Sequence, residues 1–361
     1  MPKPNALLDL PSFPADRYAV LADRLQALLA TRSDIVFAQA EAILALEATA
    51  TSLGQPGMVA VNIVTSPYGG YFGDWLARAG ATVHEVRAEA GRPITVAAVT
   101  AALAGLPKVD LVAMVHAETS SGILNPLAPV AAAVRDRGAL FVVDAVASAG
   151  GHPLDIDGLG IDICVVGPQK ALGGPTALSA LAISPRAWAA MAPPKAPSIL
   201  SLTDIKANWL DAGRGALPGM PSPLEFWALD AALDRVEAET LPAIIARHDR
   251  AARASRAALV AMGVTPWITD AAEASTLATA APVPAGVDPA ALIAAAKESG
   301  VTLTPGFGEV RDRLVRLDHA GARAAFAPVL ANVMAYGQAL RRLGHPADLG
   351  AAAEAIAKAY A

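Results

Sequence analysis

The chain has 361 residues, with 28 lysines and arginines against 33 acids and a formal charge of −5. So mild a charge, with no basic stripe, argues against a nucleic-acid partner, and a lone Cys164 excludes an internal disulfide framework and a cysteine zinc site, so no metal is assigned. The length suits two domains, or one large α/β unit with an appendage, and the 54% hydrophobic content owes much to alanine, a helix former.

The first stretch, "MPKPNALLDLPSF", has neither the charged start nor the apolar centre of a signal peptide. No apolar run has the length of a membrane span, so no membrane partner is expected and the cytoplasm is the expected compartment. In "IVFAQAEAILALEATA" (35–50), Ile35, Val36 and Phe37 read as a short buried strand, and the alanine-rich remainder has helical spacing. Glu41 falls in the first turn of that helix, where a carboxylate is mildly favoured by the helix dipole.

Short β-branched runs then alternate with amphipathic ones. "MVAVNIV" (58–64) precedes "GDWLARAG", and "VDLVAMVHA" (109–117) precedes "PLAPVAAAVRDRG". "LFVVDAVA" (140–147), "DICVVG" (162–167) and "ALSALAIS" (177–184) follow. Continuous apolar strands separated by helices predict a mainly parallel sheet covered on both faces, with ligands gathering at its carboxyl ends. After Ser184 the Pro- and Gly-rich stretch to Pro223 reads as an irregular connector, and 225–263 reads as one long helical run. A large domain is placed at 1–241 and a smaller C-terminal α+β domain at 242–361.

Four strand ends carry polar groups. They are Thr65, Ser66 and Tyr68 after 58–64; His116 to Gly122 at the end of 109–117; Asp144 after 140–143; and Gln169 and Lys170 after 162–166. Alone, Lys170 reads as a surface lysine and Asp144 as a helix cap. Together at neighbouring strand ends they suggest a site. A partly desolvated lysine loses its proton more readily and can form a Schiff base with a carbonyl. A buried aspartate can hold a pyridine nitrogen protonated.

The run "VVDAVASAGGHPLDIDGLGIDICVVGPQKALGGPTALSALAIS" (142–184) resembles the central segment of class V, fold-type I pyridoxal-dependent aminotransferases, in the alanine–glyoxylate group. "HAETSSGILNP" (116–126) and "LVRLDHAG" (314–321) resemble two further segments of that group, in the same order and over nearly the whole chain. The resemblance implies an α/β fold-type I transferase, a homodimer and small-molecule substrates. It implies that Lys170 forms the Schiff base and moves the substrate proton, and that Asp144 pairs with the pyridine nitrogen. Val146 would pack under the ring, Tyr68 would stack over it, and Thr119 would hydrogen-bond near its 3-hydroxyl. Arg316 would bind the substrate carboxylate in a bidentate pair. His319, in the same segment, is expected to be structural.

Where the group has a Ser-Gly-Thr-Gly phosphate cradle, this chain reads "AQAEAIL", with Glu41 in that place. Gln169 could still serve a phosphate. "AEAILALE" (40–47), "SPYGGYFGDW" (66–75) and "SILSLTDIKANW" (198–209) resemble the pyridoxamine–pyruvate aminotransferase branch, which takes unphosphorylated pyridoxamine or pyridoxal as a substrate. That branch implies amino transfer between pyridoxamine and pyruvate or a similar 2-oxo acid, with no tightly bound cofactor. The alternative is a conventional enzyme holding pyridoxal 5'-phosphate. A class-V lyase needs its cysteine on a mobile loop, whereas Cys164 lies in a predicted strand, and a non-catalytic relative would have little use for Lys170, Asp144, Tyr68 and Arg316. In "PGFGE" (305–309), Phe307 stands where the group carries a second arginine.

Overall fold

Seven strands pair into one sheet in the computed structural model of the chain, which describes residues 10–194 and 198–361. The reading of the first nine residues, and of Lys195 to Pro197 in the connector, lies outside that part. The strands are β1 (Asp34–Ala38), β2 (Val59–Val64), β3 (Thr82–Arg87), β4 (Leu111–Val115), β7 (Leu140–Asp144), β8 (Ile163–Val166) and β9 (Ser179–Ile183). Between β4 and β7, β5 (Ala117–Glu118) and β6 (Ile123–Leu124) form a two-residue ribbon. The order across the large sheet is β1-β9-β8-β7-β4-β2-β3. β8, β7, β4, β2 and β3 run parallel, while β9 is antiparallel to both β8 and β1.

β4, β7, β8 and β9 are buried at every position, as strands covered on both faces must be. The C-terminal part builds a three-stranded antiparallel sheet from β10 (Ala278–Pro282), β12 (Leu314–Asp318) and β11 (Thr304–Pro305). One apolar cluster lies around the large sheet, from Phe13 to Ile244. A second, from Ala251 to Ile356, joins the C-terminal helices to β10 and β12.

Three local expectations change. β7 stops at Asp144 rather than running to Ala147, because Asp144 turns its carboxylate to accept from the Val146 N–H, 2.9 Å, which closes a turn. The run 225–263 is two helices, Pro223–Glu239 and Leu241–Met262. Pro242 lacks an N–H and crowds the preceding turn, so the first helix ends, and Thr240 sits at φ 73°, a costly conformation for a β-branched residue. The connector is not wholly irregular, since Leu202–Ile205 forms a helical turn that continues through Lys206–Leu210 and buries Trp209. No described helix is long and apolar enough to cross a membrane.

Candidate active site

The carboxyl ends of β7 and β8 face the start of the helix Ala42–Leu53 and the middle of β12 across a cavity. Glu41, Tyr68, Glu118, Thr119, Asp144, Val146, Lys170, Phe307 and Arg316 line it. Seven of the eight expected site residues are thus brought together. The eighth, Gln169, lines the adjoining cavity, which shares Thr119, Lys170 and Arg316 with the first.

Lys170 is carried by a loop after β8 that is tied by its own backbone. The Gly174 N–H donates to the Pro168 carbonyl at 2.7 Å, and the Gly173 N–H to that of Lys170 at 3.3 Å. The C-terminal part presses on this loop at Gly321. At φ 59°, a β-carbon there would stand 3.0 Å from the Lys170 carbonyl oxygen, so only glycine lets the two segments approach. The Gly321 N–H is held by His248 Nε2 at 2.9 Å, and its carbonyl accepts from Arg247.

Burial pushes the Asp144 carboxyl up to about 6; the Val146 N–H and the Lys170 charge oppose the rise, and the Glu41 charge adds to it. Arg316 is only weakly engaged. Its Nη1 is 3.4 Å from the Thr119 carbonyl, its Nη2 is 3.6 Å from Asp318, and its buried Nε has no partner among the described residues. A guanidinium so under-satisfied suits an incoming carboxylate.

Glu41 is the N-cap of its helix rather than a first-turn residue. Its Oε2 accepts from the Ile43 N–H at 2.9 Å, and its Oε1 from Gln169 Nε2 at 3.0 Å. The backbone is extended at Glu41, and the shift by one position follows from its carboxylate competing for the free N–H groups of the first turn.

These groups answer separately to the two halves of a pyridoxal phosphate group. An acid for the ring nitrogen, a lysine for the carbonyl carbon, and Tyr68 and Val146 for the ring faces line one cavity, so the ring half fits. The phosphate half does not. The helix end that would hold a dianion already has the chain's own carboxylate on its N–H, with Ala40, Ala42 and Ile43 around it.

Sequence reasoning passed over Glu118, which lies beside Thr119 on the cavity wall and is only 2% exposed. Thr65 Oγ1 donates to it at 3.0 Å, and Asn125 Nδ2 in turn reaches Thr65 Oγ1 at 3.0 Å. Burial, and then the Asp144 charge, push its carboxyl up to about 7 against the hydroxyls around it. Its presence in a strand-end polar run was visible; that it turned inward was not.

Buried histidines surround the site and link the two cores. The His116 and His152 rings lie with centroids 5.8 Å apart, tilted by 51°, and His152 Nε2 accepts from the Thr276 N–H at 3.1 Å. His319, read as structural, is 1% exposed with its Nε2 2.9 Å from Thr279 Oγ1. Burial lowers His116 and His248 to about 4, and His152 and His319 to about 3. Below about pH 6.5 the unfolded chain therefore takes up four protons that the folded chain refuses, and stability falls with pH. Glu118 and Asp144 act the other way, because their raised folded values let the folded chain bind protons first. The histidines outnumber them by two, so from pH 6 to pH 5 the protein should lose on the order of 2–3 kcal/mol of stability. Urea midpoints at the two pH values check this; a midpoint that holds or rises on acidification contradicts the burial of these imidazoles.

Positions 23–328 match the family described as aminotransferase class-V. The chain is 36% identical to pyridoxamine–pyruvate transaminase of Mesorhizobium japonicum, over 94% of this chain and 86% of that protein. It is 34% identical to 2-aminoethylphosphonate–pyruvate transaminase of Burkholderia thailandensis, over 74% of this chain and 72% of that one. The crystal structure of pyridoxamine–pyruvate aminotransferase from Mesorhizobium loti superposes with a TM-score of 0.92 at 34% identity, covering 100% of this chain and 94% of the other. The architecture is accordingly the fold-type I aminotransferase fold, α/β with a mainly parallel sheet.

Proposed function

The chain belongs to the class-V aminotransferase family, and we propose that within it the protein moves an amino group between unphosphorylated pyridoxamine and pyruvate or a similar 2-oxo acid. Enzymes of this fold type depend on a pyridoxal group. In our reading that group enters and leaves as a substrate and is not tightly bound. The observation that carries the reading is Glu41, whose carboxylate caps the helix at 2.9 Å from Ile43 N, where a phosphate would need the same donors. A negative side chain there repels a dianion, and desolvation strengthens the repulsion. It suits a neutral hydroxymethyl group, which can donate a hydrogen bond to it. Gln169, bonded to Glu41, holds that carboxylate in place.

When bound, the protonated pyridine ring withdraws electrons and acidifies the carbon–hydrogen bond next to the transferred nitrogen. The remaining work falls to the chain. Asp144 would keep a proton on the ring nitrogen by presenting an ionised carboxylate to it. Tyr68 and Val146 enclose the ring faces, and Thr119 orients its oxygen edge. Arg316 grips the carboxylate of the 2-oxo or amino acid with two parallel N–H groups. Lys170 Nζ would take the proton from one carbon and return it to the other, which needs one base on one face of the planar system within reach of both carbons. The strand-end loops shield that transfer from water. We read the active enzyme as a homodimer of 36.6 kDa chains, as this fold type commonly is, which sedimentation would test.

An absorption spectrum and phosphate assay of the purified protein, followed by turnover with free pyridoxamine and pyruvate, test the proposal. We expect a colourless protein that converts both substrates. A yellow protein with one tightly held phosphate per subunit and no turnover of pyridoxamine would overturn it in favour of the conventional pyridoxal 5'-phosphate enzyme.

A further inference from the structure

None of these roles uses Phe307. Its side chain is 41% exposed, yet it stands on the wall of the cavity that holds Lys170 and Arg316 and also bounds the neighbouring cavity behind Ser66 and Pro67. Its ring lies 5.6 Å from that of Tyr68, tilted by 39°. The segment that carries it is fixed. Gly308 sits at φ 65°, and a β-carbon there would come within 2.6 Å of the Pro67 ring, so this loop is wedged against the start of the helix Pro67–Arg78. A large apolar side chain held open to water at a concave wall gains free energy when a ligand covers it.

The charges around it say what that ligand excludes. Among the described residues, the ionisable groups on the cavity wall besides Lys170 and Arg316 are Glu41, Glu118, Asp144 and Tyr68. One guanidinium is available for one carboxylate, and a second carboxylate would lie among acids. Another arginine, Arg323, lines the adjoining cavity, in company with Asp318.

We infer that Phe307 covers the side chain of the acid whose carboxylate Arg316 holds, which makes the substrate class 2-oxo acids with short aliphatic side chains and rejects dicarboxylic ones. This rests on the proposed role of Arg316 and deepens the reading above.

Calorimetric titration of the full-length protein with glyoxylate, pyruvate, 2-oxobutanoate, 2-oxopentanoate and 2-oxoglutarate tests it without turnover. Affinity should rise by about 4-fold per added methylene, the usual gain for burying one CH₂. 2-Oxoglutarate should bind at least ~10-fold more weakly than 2-oxopentanoate, since its distal charge must be desolvated unpaired. In Phe307→Ala the gradient should flatten to within about 2-fold across the series, whereas Phe307→Leu, still apolar, should keep most of it. Glyoxylate has no side chain and is the reference against which each gradient is read. A gradient unchanged in Phe307→Ala, or 2-oxoglutarate bound as tightly as 2-oxopentanoate, overturns the inference and turns attention to Arg323. The outcome is separable from that of the proposed function. A protein that shows the gradient but does not turn over pyridoxamine keeps the inference and loses the amino donor.

Discussion

Lys170→Ala should leave a folded protein whose amino-transfer rate falls by at least ~10³-fold, in line with the loss of a positioned proton-transfer group and of the amine that meets the carbonyl. Among the described residues, Lys170 is the single lysine on either of the two adjoining cavities. It sits at their junction with Arg316, and among the described residues no second amine lines the site to replace it. The substitution removes a partly buried side chain from a loop whose backbone is tied by Gly173, Gly174 and the pressure of Gly321, so the fold should tolerate it. Single-turnover rates with pyridoxamine and pyruvate, with a thermal melt as the folding control, give the answer. Added methylamine should restore part of the rate by supplying the missing base. A loss smaller than ~10-fold would remove Lys170 from the chemistry, because general acid–base catalysis alone is worth about 10² or more.

Glu41→Ser should shift the ratio of pyridoxal to pyridoxal phosphate dissociation constants by about 10²-fold or more toward the phosphate. Two unit charges about 4 Å apart near a protein surface repel by roughly 4 kcal/mol, and a phosphate carries nearly two. Even a fraction of that repulsion covers the expected shift. The substitution also frees helix-end N–H groups to receive the anion. Serine is a better test than glycine or alanine, because it keeps a side-chain cap on the helix and so limits the loss of stability. Equilibrium dialysis with both vitamers on wild type and variant reads the ratio directly. Should it stay where it is, Glu41 is a helix cap and nothing more, and the argument for an unphosphorylated substrate falls with it. Gln169 loses its bond to Glu41 Oε1 in the variant, and its amide N–H groups become available to the phosphate as well.

Much of this was legible beforehand because it is local. Alternation of apolar runs and helical spacing depends only on neighbours along the chain, and β2, β4, β7, β8 and β9 formed within a few residues of where such runs occur. The strand-end rule then pointed to Asp144, Lys170 and Thr119, since the carboxyl ends of parallel strands are where a doubly covered sheet opens to solvent. The helix break at Thr240 was also written locally, in Pro242 one residue into the second helix, but the apolar spacing on either side is continuous and concealed it.

Other features had no local signature. Glu118 looks like any acid in "HAETSSG", and its inward placement is matched by Thr65, which donates to it from 53 residues earlier and is itself held by Asn125. Four of the six histidines are buried at the junction of the two cores, through partners as distant in sequence as Thr276 and Gly321. Phe307 read as the mere absence of an arginine, and only its position beside Tyr68, far earlier in the chain, makes it a wall.

The amino-acid sequence by itself determined the fold class, the lysine–aspartate pair at two strand ends and the acid at the start of the helix Ala42–Leu53, since each is a property of residue type and short-range spacing. Tertiary structure alone decided that Glu41 and Gln169 hold one another, that Arg316 keeps unsatisfied N–H groups beside Lys170, and that Glu118 shares the cavity with Asp144. Those are relations between segments more than a hundred residues apart in several cases. Desolvation and Coulomb forces act through space, so a carboxylate acquires its proton affinity and an arginine its free valence only when packing has chosen their neighbours.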